Sequence, residues 1–442
     1  MRTLARKIVV SVAVGALLMT GVTTAGAATK APKPGTACKT VGATIDTGSV
    51  LYTCVKSGTK LTWNKGVKYT TTPFKVGIIT CKTGFFAAYG DAYLEGWKSG
   101  LKWASKGKTN AQGFPMINGR PIQVLDTVDD KSIDTAAAST AFKDLVDKGA
   151  KVIMGTCNSA IALTLAPLAK QNNVLFFPGP AANDAISGVN KWTFRTGRQT
   201  EQDVATALTF LGNTDGEKIV TMAEDSVFGK GNADALKTLI AGKKTTVIDP
   251  VLVPLTATDL TPYAKRIKDA QADIVFVSFA ALSPWTALKQ QGVLERSDIV
   301  TGLANYATWN VVGAVGGSDF QYLSHYFGGA AGTAEEKAML ADLAVAGKRA
   351  DLFNPDGFNA AMMVARAAKA DFSGKDDTEK MIKSLEGFTF NSVKGKNTIR
   401  KSDHALIQPM FQARLLLSKG QYAPILVKRV DNIAPVERQM QP

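Results

Sequence analysis

"FKVGIITCKTGFFAAYGDAYLEGWKSG", residues 74–100, decides the fold. Phe74 to Thr80 is a short, nearly continuous apolar run, the pattern of a strand buried on both faces, and from about residue 90 the apolar residues recur at helical spacing. Between them lies a turn built from Cys81, Lys82, Thr83 and Gly84. The same grammar returns three times: "PIQVLDT" (121–127), "KVIMGT" (151–156) and "VLFFPG" (174–179) are strand-like, with helical spacing over 90–105, 132–148 and 158–171. Strand and helix alternating in this way predict a parallel sheet with right-handed crossovers. A second set follows: "KIVTMAED" (218–225), "TVIDPVLVP" (246–254), "ADIVFVSF" (272–279) and "DIVTGLA" (298–304), with helices expected near 229–241, 259–270 and 284–292. The expectation is α/β: two doubly wound lobes. "TFRTGRQTEQDVA" (193–205) reads as a crossing strand and hinge between them. The last hundred residues add no third unit, so the chain is expected to recross and form a bending hinge of several strands.

The ends place this body in a compartment. Arg2, Arg6 and Lys7 precede an apolar run from Ile8 to about Val22 and the small residues Ala25, Gly26 and Ala27. That is the three-part layout of a secretory signal peptide, with cleavage expected near Ala27 and a secreted, extracytoplasmic mature protein. Residues 28–35 form a Pro/Lys linker. Residues 36–66 alternate in short glycine-punctuated segments with too few apolar residues to hold a core alone. A Cys38–Cys54 bridge is the natural staple for this small β module. Its layout is similar to a short Cys-containing, Trp-ending segment near the start of many exported actinobacterial proteins.

Without residues 1–27 the chain keeps 49 Lys and Arg against 37 Asp and Glu, a net charge of about +12. These charges are scattered over helix faces and turns with no basic, aromatic-interleaved motif, which argues for a solvated surface and against nucleic acid. Four cysteines in an exported chain suggest two disulfides. With only His325 and His404 present, metal clusters and Cys/His or Ser/His catalytic sets lack material, so no catalytic residue, metal or cofactor is expected. The histidines read as surface or structural residues.

In open parallel sheets ligands gather outside the carboxyl ends of the strands. There the turns hold Thr83, Gly84, Tyr89 and Gly90, then "GTCNSA" (155–160), then "PGPAAND" (178–184). Such residues leave backbone N–H groups and helix amino termini open to a carboxylate or carbonyl, although any single one is also an ordinary helix cap. The usual 2-1-3 strand order also brings Cys81 within bonding reach of Cys157.

"FKVGIIT...GFFAAYGDAYLEGWKSGLKWA", "DLVDKGAKVIMGTCNSAIALTLAPLAKQNNVLFFPGPAAND", "AEDSVFGKGNADALK" and "ADIVFVSFAALSPWTALKQQG" resemble the extracellular solute-binding proteins of branched-chain amino-acid and amide ABC transporters, the type I periplasmic binding fold. The likeness covers roughly residues 73–430. It implies lobe 1 at 73–198 and about 324–372, lobe 2 at 199–323 and about 373–430, and a tail at 431–442. It implies a membrane ABC permease as partner, a small-molecule ligand (an amino acid, an amide or a related polar or aromatic acid), and a monomer. By resemblance Tyr89 lines the cleft, Ser159 in "CNSA" holds the ligand carboxylate, Ala181 and Asn183 meet its polar head, and Phe228 and Phe279 close from the second lobe; Asn158 is expected as a further ligand contact.

Amino-acid binders of this family usually place an acid after the strand matching "DIVTGLA". Here "LANYATW" (303–309) has none. A buried ammonium without an anion is costly, so either Asp184 or Asp225 substitutes, or the ligand is not a free α-amino acid. Asn305, Tyr306 and Trp309 suit an amide, a urea-like group or an aromatic acid. Trp97 and Trp103 are expected to be packing residues, Trp285 and Trp309 to face the cleft, and the glycines of "GDAYLEGWKSG" to allow close helix-to-sheet approach. Two readings compete: an exported hydrolase, which lacks a G-x-S-x-G elbow, and an envelope-binding protein acting through the amino-terminal module.

Overall fold

The computed structural model describes residues 30–442 except 48, 49, 69, 372 and 373. The signal-peptide reading of residues 1–27 lies outside the described residues. The chain divides after Lys68 into two compact units.

The first unit is a small antiparallel sheet in which Val50–Ser57 pairs with Thr44–Asp46, Lys60–Trp63 and Val67–Lys68. Cys38 and Cys54 are bridged, with Cα atoms 5.8 Å apart, and Cys54 is buried. The Asn64 side chain accepts from Thr53 N and Gly66 N at 3.0 Å each, closing the turn after the third strand. Hydrogen bonds and one covalent link thus replace the apolar core this segment lacks.

The second unit holds two sheets. In the five-stranded sheet Phe74–Thr80 lies between Arg120–Asp129 and Val152–Gly155, all parallel, with Leu175–Pro178 beyond and a short antiparallel strand Met116–Ile117 at the other edge. This is the expected 2-1-3 order, and Cys81 and Cys157 are bridged at its carboxyl end with Cα atoms 6.0 Å apart. Val152–Gly155 and Leu175–Pro178 are buried along their whole length, which is why they read as apolar runs without alternation.

The larger sheet begins with five parallel strands in the order Thr246–Val253, Lys218–Glu224, Ile274–Ser278, Asp298–Gly302, Gln321–Ser324. The long strand Leu406–Ser418 joins it antiparallel beside Gln321–Ser324 and pairs with Gln421–Ile433 on its other side. Its first residues pair instead with Gly395–Ile399.

Residues 373–430 were expected in lobe 2, and the structure divides them. Met381, Ile382, Leu385, Phe390, Ile399 and Leu406 pack in the same core as Phe74, Val76 and Tyr93, whereas Phe411, Ala413 and Leu415 pack with Val220 and Val275. One 13-residue strand is long enough to serve both cores. The expected crossing strand at 193–205 is also different: Thr193 makes only an isolated bridge to Phe176, and helix Thr200–Leu211 begins almost at once.

Helix Ala87–Ser105 packs closely on helix Asn354–Ala368. A Cβ on Gly96 would lie 1.9 Å from Asn354 O, and one on Gly357 would lie 1.9 Å from Tyr93 O. Gly96 and Gly100 therefore serve helix-to-helix approach, whereas Gly90, whose Cβ would lie 2.1 Å from Cys81 O just past strand Phe74–Thr80, makes the expected approach to the sheet. Trp97 is buried in this core, and Trp103 is partly exposed beside Phe358.

Candidate functional site

Local chemistry shapes the turns at the first sheet's carboxyl end before any ligand is considered. Thr83 donates from Oγ1 to Asp129 Oδ2 at 2.6 Å, and Thr156 donates to Asp130 Oδ2 at 2.6 Å, so these hydroxyls tie turn to turn. Asn158 caps helix Ser159–Asn172, accepting from Ala160 N at 2.8 Å and donating to Ser132 O at 2.8 Å. Ser159 Oγ accepts from Ala182 N at 3.2 Å and Asn183 N at 3.1 Å, which leaves its own proton to donate. Much of the backbone that looked open to a ligand is already satisfied by the protein.

Two adjoining cavities, about 70 and 50 Å³, lie between the sheets' carboxyl ends and share Tyr89, Arg198, Phe228, Ala280 and Phe353 as walls. Tyr89 rises from helix Ala87–Ser105, and its Oη donates to the Ala280 carbonyl at 3.0 Å, a bond from one lobe to the other. Its ring meets Phe353 edge-on at 4.9 Å and stacks beside Phe86 at 6.0 Å. Burial, with the nearby carboxylates of Asp351 and Glu224 adding to it, raises the Tyr89 phenol, so it stays a neutral donor. A second crossing bond runs from Asn183 Nδ2 to Val227 O at 2.8 Å.

The expected residues divide. Tyr89, Asn158, Ser159, Phe228 and Phe279 line the cavities. Ala181, Asn183 and Asn305 are not among the wall residues of either cavity. The Ala181 carbonyl receives Arg195 Nη2 at 2.9 Å, the Asn183 side chain is used in the bond to Val227, and Asn305 precedes the 3-10 turn Tyr306–Thr308. Trp285 and Trp309, expected at the cleft, are core residues; Trp285 packs on Phe320 at 5.0 Å and Trp309 Nε1 donates to Ala304 O.

Neither substitute acid is a cavity wall. Asp184 Oδ1 accepts from Gln199 Nε2 and Glu201 N at the start of helix Thr200–Leu211, and Asp225 pairs with Lys230 at 2.6 Å in a largely solvated position. The acid that does line the second cavity is Glu224, whose Oε1 accepts from the N–H groups of Ala280, Ala281 and Leu282 at 3.0, 2.5 and 2.8 Å. Burial pushes its carboxyl upward against those bonds.

Sequence reading missed Arg198, Phe353 and His325. Arg198 lines both cavities and is held by Asp203, whose Oδ2 lies 3.2 Å from Nε, and by Pro180 O at 3.1 Å from Nη1. The available signal was two arginines in "FRTGRQT", a segment otherwise read as a hinge. His325 is buried and borders the first cavity, so it is not a surface residue. Burial lowers its imidazole well below its usual value, with the positive charges of Lys394 and Arg198 acting the same way. His404, buried against Phe194 at 3.7 Å, is structural.

Two α/β lobes, a cleft walled by both, and hydrogen bonds that cross it define a two-lobed binding protein. The chain belongs to the periplasmic binding protein family, whose model matches residues 73–421. It is 27% identical over 320 residues to the Leu/Ile/Val-binding protein BraC3 of Rhizobium johnstonii, covering 70% of this chain and 83% of that one. A solved ABC-type branched-chain amino acid transporter structure from Rhodopseudomonas palustris CGA009 superposes with a TM-score of 0.69 at 28% identity, covering 84% of this chain and 100% of that one. The fold is shared with a solute binding protein of an ABC transporter from R. palustris HaA2 in complex with p-hydroxybenzoic acid, at TM-score 0.72 and 21% identity, covering 81% and 97%.

Proposed function

We propose that the protein is an extracytoplasmic solute receptor, exported by a signal peptide at residues 1–27, that closes two lobes over a small polar molecule and delivers it to a membrane ABC permease. It acts as a monomer and without catalysis, holding an amino acid, an amide or a small aromatic acid. Tyr89, Asn158, Ser159, Phe228 and Phe279 contribute ligand contacts. Lobe 1 is formed by residues 73–198 with about 324–372, and lobe 2 by 199–323 with the later part of the 373–430 return; 28–72 forms the linker and module, and 431–442 the tail.

The observation carrying this reading is the Tyr89–Ala280 bond, because it joins the lobes at a wall common to both cavities. A bond of that kind forms on closure and is absent from an open cleft, so it couples ligand enclosure to lobe movement. The test is a thermal-shift screen of amino acids, amides, urea-like compounds and aromatic acids, followed by small-angle scattering. A solute that binds the folded state raises Tm saturably and also reduces the radius of gyration. Saturable binding with no change in dimensions would sink the receptor reading.

A further inference from the structure

We infer that Arg198 is the anion seat of this cleft and that the ligand is a compact aryl carboxylate. This rests on the receptor reading above and narrows its ligand class. Arg198 is 8% exposed and is a wall of both cavities. Its guanidinium is fixed by Asp203, with Nε 3.3 and 3.2 Å from the two carboxylate oxygens, and by the Pro180 carbonyl on Nη1. Nη2 has no protein acceptor among the described residues, and Nη1 has a second proton, so the Nη1/Nη2 edge is left for an acceptor from outside the chain.

The surroundings favour a planar anion. The rings of Phe228 and Phe353 lie 5.7 and 5.1 Å from the guanidinium carbon. A guanidinium among aromatic rings is weakly hydrated, and its fork matches the two oxygens of a carboxylate. Phe86, Phe276 and Phe279 extend the aromatic wall beyond the seat, giving the ligand's body an apolar, ring-lined bed.

An α-ammonium fits poorly beside this group. It would stand near Arg198, Asp203 is already paired with that arginine, and Glu224 commits Oε1 to three backbone N–H groups, which leaves only its Oε2 to meet a cation. From the segment where the family places its acid, the wall receives only Gly302, Leu303 and Ala304.

The experiment is calorimetric titration of the full mature chain with 4-hydroxybenzoate, its neutral isostere 4-hydroxybenzamide, 4-hydroxybenzylamine and leucine, with scattering alongside. The carboxylate is expected to bind about a hundredfold more tightly than the amide, the scale of a charge-assisted pair in a dry site. Arg198→Lys is expected to shrink that ratio to about tenfold or less. If the variant does not fold, the wild-type ratio decides alone. Amide, amine or leucine binding as tightly as the carboxylate, with the lobes still closing, overturns the seat and leaves the receptor reading standing. Absence of both binding and closure with all four overturns the two together.

Discussion

His325 Nε2 lies 2.5 Å from Asp356 Oδ1, and the ring's other nitrogen lies 3.0 Å from Lys394 Nζ. With Nζ donating to Nδ1, the proton of the neutral ring sits on Nε2 and points at the carboxyl. All three side chains are buried, and His325 forms part of the first cavity's wall. The cleft therefore rests on a hydrogen-bonded chain whose ends are an acid and an amine, each with little access to water.

Burial pushes Asp356 up to about 7, against the positive fields of Arg198, Lys394 and Arg195. A raised acid contributes stability that is full below its unfolded value of 3.8 and is lost as pH rises through about 7. Asp356→Asn lacks that slope. Urea melts should show the variant's deficit against wild type shrinking by roughly 2–3 kcal/mol between pH 5 and pH 7.5. Lys394 is lowered to about 7, so its contribution is lost as pH falls from 10.5 to 7, a range that lies almost entirely above this window. A deficit that is constant with pH would mean that Asp356 is charged throughout.

His404 gives the opposite sign. Burial lowers its imidazole to about 4, although the bond to Thr193 O works to raise it, so stability is present above pH 6.5 and is lost as pH falls toward 4. The loss should reach about 3 kcal/mol by pH 4. His404→Phe keeps the stack on Phe194 and gives up one hydrogen bond, costing about 1 kcal/mol at pH 7.5. Its advantage should appear only in acid, as a flatter Tm profile below pH 6.

Tyr89→Phe removes the Oη bond to Ala280 and little else, because the ring contacts with Phe86 and Phe353 remain. The ligand identified by the thermal screen should bind about fivefold to tenfold more weakly, with the change mostly in the dissociation rate, since the bond acts in the closed form. Equal dissociation rates for the two proteins would show that this contact does not latch the lobes.

The bridge between Cys81 and Cys157 closes a loop of 76 residues and stands beside the second cavity, of which Cys157 is a wall residue. Replacing both cysteines with serine should lower stability by about 2–4 kcal/mol. It should also weaken ligand binding, because the turns carrying Phe86 and Asn158 are no longer tied together. Stability loss with unchanged affinity would make the bridge a purely structural staple.

Much of this architecture could be read before any coordinates. The apolar runs at 74–80 and 151–156 were recognisable because a strand covered on both faces is apolar at nearly every position. The Cys81–Cys157 pair followed from strand order, since neighbouring parallel strands end side by side. Asn158 and Ser159 were readable as small polar residues before a helix, yet the same pattern describes a cap and a ligand contact. Asn158 spends its side chain on capping, and Ser159 accepts from Ala182 and Asn183.

Other features had no local signature. Gly96 and Gly357 look like two unrelated glycines until their helices meet. His325, Asp356 and Lys394 are each an ordinary polar residue in sequence, and become a buried relay only where three distant segments converge. Arg198 read as hinge chemistry because its partners, Pro180, Phe228 and Phe353, lie on three other segments. By itself the sequence determined the order and type of the elements, because periodicity records how each residue is buried within its own strand or helix. Only the tertiary structure decided which charges and rings share the cleft, because those contacts join residues far apart in the chain, which no local period encodes.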